Sequence, residues 1–256
     1  MTRRMVIAIL VLLVFGAVRM PFEAELEKEH KAAYFHGAKL DLSLREKIGQ
    51  MGFLAALSGF RAFVADVLWI HAHVLWERTE WGAMKVDFDA VTSLQPRCVL
   101  FWSQAAWHMG FNASVAAFED PKQPREALRL KAQHEYFKLG EDYLLHGIEN
   151  NPDVYNLYAD LALLYEMKFK DHCKAAEYYA RTAAFKNAPV FYHRFQYYEL
   201  AQCPGHEREA YEALLKLYKE GENERLPTLL KWLGILQEKL NVPADQKIYI
   251  PPAPNP

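Results

Sequence analysis

Residues 147–169 read GIENNPDVYNLYADLALLYEMKF. Asn151 and Pro152 mark a helix stop, and apolar residues return afterwards at Tyr158, Leu161, Ala162 and Tyr165, the three- and four-residue steps of one helix face. Counting back from Pro152 puts Gly140, Leu144 and Gly147 at matching steps of the preceding helix. Small residues at fixed points let two helices approach, and bulky residues fill the holes opposite. The stretch therefore reads as the seam of a helical hairpin, and nothing in it is catalytic.

The same frame works from Pro96, with Phe88 and Val91 behind it and Trp102, Ala105, Ala106 and Met109 ahead. Weaker echoes follow at Ala175 and Tyr179, before a proline two residues out of phase, and at Ala210, Leu214 and Leu217. Between these stretches, SLQPR, EDPKQP, NNPD, KNAP, QCPG and GENERLP punctuate a chain that is helical in pattern, because Pro, Gly and Asn clusters end helices. Only KIYI, at 247–250, has the alternation of a strand.

From about residue 65 to 220 the chain resembles the tetratricopeptide-repeat (TPR) family, in which a W-x2-L-G-x2-Y helix pairs with one carrying A-x3-F and a closing proline. Alanine replaces glycine at Ala106 and Ala162. The hairpin holding Trp102 and Gly140 is about twenty residues longer than the family's unit. PREALRLKAQHEYFKL within it is helical in pattern, so the extra length lengthens both helices. GFRAFVADVLWIHA, followed by AWHMGFN, is also similar to an uncharacterised group of bacterial membrane-anchored repeat proteins. The resemblance implies an all-α fold, a short solenoid of helical hairpins with a concave surface lined by first helices. In that register Ser103, Trp107, Phe111, Asn156, Ala159, Leu163 and Met167 face the concave side, where they would hold a helix or extended segment of a protein partner.

The N-terminus, MTRRMVIAILVLLVFGAVRM, has two arginines before an apolar run over 5–18. The run suits the hydrophobic region of an export signal. Cleavage after Ala17 would place Phe15 at the −3 position, a poor fit to the small residues needed there, so an uncleaved signal anchor over 1–22 is the favoured reading. Arg3 and Arg4 then stay in the cytoplasm, and the body lies outside it, on the periplasmic side of a bacterial inner membrane. A polar tether follows over 23–42. SLRE at 43–46 matches a capping box and opens the repeat domain, 43–240, ahead of a proline-rich tail, 241–256.

The segment 51–77 is apolar over nearly its whole length. Arg61 and Asp66 in its middle argue against a second span and suggest an internal ion pair. Gly59 offers a helix break.

A net charge of −2 lacks the basic face of a nucleic-acid binder. His71 and His73 stand two apart on a helix, a spacing that does not share a face, so no metal site is expected. No cofactor motif, Walker loop, HExxH or nucleophile pattern occurs. Among three cysteines, Cys173 and Cys203 fall in the turns of successive hairpins. They pair if their Cα atoms come within about 7 Å, and an exported body permits oxidation.

Two functions follow. The leading expectation is a non-enzymatic, membrane-anchored scaffold for protein–protein interactions in a cell-envelope assembly. The alternative is an envelope enzyme or small-ligand-binding protein with a polar pocket between the long hairpin and helix 60–79, using Arg61, Asp66 and His108. Trp107 divides them: exposed, it can anchor a partner; buried, it serves only the core.

Overall fold

A computed structural model of the chain describes residues 59–250, together with Val11, Val14 and Val18, which are helical. The rest of the expected signal anchor, the expected tether and capping box, and tail residues 251–256 lie outside the described residues. Among the described residues every regular element is helical, and no helix is long and apolar enough to cross a membrane. The chain divides into two compact units, Met1–Met109 and Gly110–Pro256.

In the first unit, α1 (Arg61–Glu77) packs on α2 (Trp81–Leu94), and α3 (Val99–Trp107) follows. Gly59 takes a positive φ of 81° two residues before α1, the left-handed conformation that glycine adopts without a Cβ penalty; the segment that the expected break would separate from α1 lies outside the described residues. Ala65, Val91, Leu94 and Phe101 form a core, with the Trp69 ring 5.7 Å from Phe88 and 5.2 Å from Phe101. Arg61 and Asp66 are both exposed. Among the described residues no ion pair joins them, and the expected buried pair is corrected. The segment looks fully buried in sequence because apolar side chains also occupy the outer face of α1.

The second unit contains α4 (Ser114–Phe118), α5 (Glu126–Asn150), α6 (Tyr155–Leu164), α7 (His172–Ala183), α8 (Tyr192–Leu200), α9 (Glu207–Glu220) and α10 (Pro227–Lys239). Each packs on its neighbour in sequence, and α8 also touches α10. Two π turns interrupt this pattern, His108–Ala113 after α3 and Tyr165–Phe169 after α6. At 25 residues, α5 is the longest helix described, and it contains most of the segment read as extra length. Gly110 allows a close approach: a Cβ there would sit 2.8 Å from Leu164 Cδ1 and 3.7 Å from the Cα of Gly140.

The positions of the repeat frame are core. Phe88, Val91, Ala105, Met109, Leu161, Ala162, Ala175, Tyr179, Ala210 and Leu214 are buried, as are Trp102, Ala106, Gly140, Leu144, Gly147 and Tyr165. Tyr158 and Leu217 are half-buried. The two proline turns also match in backbone. Gln95 has φ −130°, ψ 61° and Asn151 has φ −136°, ψ 62°. Gln95 N–H donates to the carbonyl of Val91 and Asn151 N–H to that of Gly147, both at 2.9 Å. Within each turn, Cys98 N–H bonds the Gln95 carbonyl and Val154 N–H bonds that of Asn151. In each, the aromatic residue six positions past the proline donates back to its carbonyl: Trp102 Nε1 to Pro96 at 2.9 Å, and Tyr158 Oη to Pro152 at 3.1 Å.

Cys173, in the first turn of α7, and Cys203, just after α8, form a disulfide with Cα atoms 4.8 Å apart. Residues 247–250 are not a strand. Ile248 N–H donates to Gln237 Oε1 at 2.7 Å, and Ile248 and Ile250 pack on the cluster of Leu214, Leu229, Leu233 and Leu236. Their alternation reflects docking on α10, not pairing in a sheet.

Candidate partner-binding face

In the first unit, α3 carries Ser103, half-buried, and Trp107, 45% exposed. His108 is half-buried, its ring 5.6 Å from Trp76 and 5.7 Å from Phe88. Burial holds it below the usual histidine range, with a further contribution from His73. Arg61 opens the helix on which Trp76 lies fifteen residues further along, about 22 Å at 1.5 Å per residue. Arg61 and His108 therefore do not converge, and Asp66 points to solvent; the expected polar trio is not assembled.

The two nearby histidines also diverge. His71 Nδ1 lies 2.6 Å from Asp87 Oδ2, while the His73 ring lies 5.1 Å from Trp76. Among the described residues no group of three His, Cys, Asp or Glu side chains is placed to hold a metal ion.

In the second unit, Asn156 and Met167 are exposed, Leu163 and Phe111 half-buried, and Ala159 buried at 6%. Ala159 is corrected as a contact residue, since its methyl belongs to the packing under α6. Asn156 and Leu163, seven apart on α6, keep one helix face, and Met167 lies in the π turn that follows. The π turn at Tyr165–Phe169 then brings Lys168 over Phe111, its Nζ 4.6 Å from the ring centroid and 5.9 Å from that of Phe137. Phe137 and Phe169 meet at 5.8 Å, and His134 stands edge-on to both. Burial pushes the Lys168 ammonium below the usual lysine range, and Lys170 adds to this. A cation set on rings in this way is held in place at about 0.5–2 kcal/mol.

Beside this cluster the Tyr165 hydroxyl donates to Glu141, and Lys174 lies 3.8 Å from Glu141 and 4.7 Å from the Tyr165 ring. Tyr179 donates to Glu166 at 2.7 Å. Burial, then the neighbouring carboxylates, pushes both phenols far up, so they stay protonated donors at neutral pH. His172 Nδ1 meets Glu199 Oε2 at 2.7 Å. Burial raises the Glu199 carboxyl above its usual range against the opposing pull of His172.

Sequence reasoning missed Lys168, Phe137, Phe169 and His134. Aromatic density was visible, but the register change at the π turn has no Gly or Pro to announce it. Comparison with protein-family models, curated proteins and solved structures finds no match.

Proposed function

We propose that the chain is a membrane-anchored, TPR-like helical-repeat scaffold with its body outside the cytoplasm, where it buries a segment of a protein partner against first-helix side chains in an envelope assembly. The observation that carries this reading is the exposure of Trp107 and Met167, at 45% and 49%. Both are large apolar side chains at positions that the repeat register assigns to the binding surface, and aromatic anchors commonly dominate interfaces. The matched turns at Pro96 and Pro152 support the repeat reading. The Cys173–Cys203 bridge supports an oxidising compartment. On the first unit Trp107 would make the apolar contact, with Ser103 as a polar neighbour; on the second Phe111, Leu163 and Met167 would do so, with Asn156 as a polar neighbour and Lys168 to meet a carboxylate on the partner.

The test is photo-cross-linking in native membranes from the full chain, with a benzophenone side chain at position 107 or 167. Recovery of the same partner protein from both positions supports the scaffold. Products confined to lipid, or none at either position, overturn it.

A further inference from the structure

α1 is apolar on two sides. Ala65, Ala72 and Leu75 are buried against the first unit. On the opposite side, Phe63, Val67 and Ile70 are exposed at 65%, 49% and 65%, and Val74 is half-buried. At 100° per residue these four share one narrow arc, pointing away from the core-facing residues. Steps of four, three and four are the d–a–d–a phase of a heptad, with Phe63 and Ile70 at d and β-branched Val67 and Val74 at a. This spacing is that of a coiled-coil seam.

The flanks decide what meets this stripe. A helix lying on lipid headgroups carries Lys and Arg beside its apolar face. Here the edges are Asp66 and His73 on one side and, on the other, His71 and a single arginine, Arg78, just past the helix; Glu77, the next d position, closes the stripe at its C-terminal end. In the heptad Asp66 is a g position and His71 the following e position, the pair that meets across a parallel two-helix seam. Asp87 occupies His71 Nδ1 at 2.6 Å, which leaves Nε2 to meet Asp66 of a second copy. Each copy supplies both members of the pair, so the seam is self-complementary.

We propose that α1 is a self-association helix: two copies of this chain pair in parallel through Phe63, Val67, Ile70 and Val74, with Asp66 of each facing His71 of the other. A seam of four residues is short for an independent dimer. Confinement of both copies to one membrane would raise their effective concentration and align them in parallel. In that respect the proposal rests on the anchored reading above.

The experiment uses the full chain in its native membranes, with Cys98→Ser as background and single cysteines introduced as V67C, I70C or A62C. Ala62 is exposed but off the stripe. Under mild oxidation V67C and I70C should shift from 29.6 kDa to twice that mass, while A62C stays monomeric. Val67→Glu in the I70C background should abolish the shift, with unchanged circular dichroism showing that the fold survives.

Equal cross-linking at all three positions, or none, overturns the seam. So does preferential pairing of F63C with V74C, which indicates an antiparallel contact. Labelling of positions 67 and 70 by a lipid-soluble photoprobe in place of cross-linking assigns the stripe to lipid, and cross-links to a different protein assign it to another partner; both outcomes overturn the proposal. An alkaline wash separates the two readings. Release of chains that still cross-link at 67 and 70 removes the anchor and keeps the seam; retained chains without cross-links do the reverse.

Discussion

The indole N–H of Trp102 donates to the carbonyl of Pro96 at 2.9 Å, six residues back, and so ties the start of α3 to the turn that precedes it. Trp102 is buried at 7%. Trp102→Phe removes the donor and leaves the carbonyl short of a partner, at a cost of about 1–2 kcal/mol. Tyr158→Phe removes the corresponding bond at an exposed site, where water can replace it, and should cost about 0.5 kcal/mol or less. Thermal melts of the two variants should rank them in that order.

Trp107→Ala should separate binding from folding. Its side chain is 45% exposed, so the expected stability loss is about 1 kcal/mol or less, while loss of partner affinity should reach about 2 kcal/mol or more. A melt lowered to the degree seen for a truncated core tryptophan would place Trp107 in the packing and remove it from the interface.

Gly110→Ala should destabilise by about 1–3 kcal/mol, since its Cβ would stand 2.8 Å from Leu164 Cδ1 and Leu164 is fully buried. In a double-mutant cycle, Leu164→Ala should absorb part of that loss, because it vacates the space the new methyl needs. Strict additivity in chemical denaturation would show that the two residues do not compete for this volume.

Glu199→Gln should alter the pH dependence of stability. Burial raises the folded-state carboxyl above its ordinary value of 4.5, so the folded chain holds this proton more tightly than the unfolded chain. The resulting stabilisation is fully present below pH 4.5 and is lost as pH rises through the raised value. Stability of the wild type minus that of the variant should therefore fall over this window, as read by denaturation from acid to neutral pH. A flat difference would mean that His172 fully offsets burial.

Reducing the Cys173–Cys203 bridge should lower stability by about 3–4 kcal/mol, the loop-closure value for a ring of this size. A Cys173→Ser, Cys203→Ser double variant should melt like the reduced wild type, and its melt should not respond to reductant.

The helix stops legible in the sequence are those with a chemical reason to be there. Pro96, Pro152, Pro189, Pro204 and Pro227 each fall in or beside a turn, because proline lacks the N–H that continues a helix. The stops at Thr79 and Lys170, whose φ values are 57° and 55°, were expected only from the end of the apolar run at 79 and from the hairpin register that puts Cys173 in a turn. Non-glycine residues rarely take this conformation, and nothing in ERTE or FKDH marks it. Burial of the repeat-frame residues was legible because it rests on local spacing. The placement of Lys168 over Phe111 was not, since a π turn shifts register without altering composition. The exposure of Arg61 and Asp66 escaped for a related reason: an apolar outer face on α1 is indistinguishable in sequence from a buried one.

The bridge also changes how the chain bears force. Cys173 and Cys203 are 30 residues apart, and a pull between the N-terminus and the C-terminal tail would pass directly from one sulfur to the other. α7 beyond its first turn, and all of α8, would lie off the load path. At about 3.3–3.6 Å per residue, roughly 100 Å of chain could not be paid out. A body tethered at one end and gripped by a partner at the other would keep this segment slack while its neighbours took the strain.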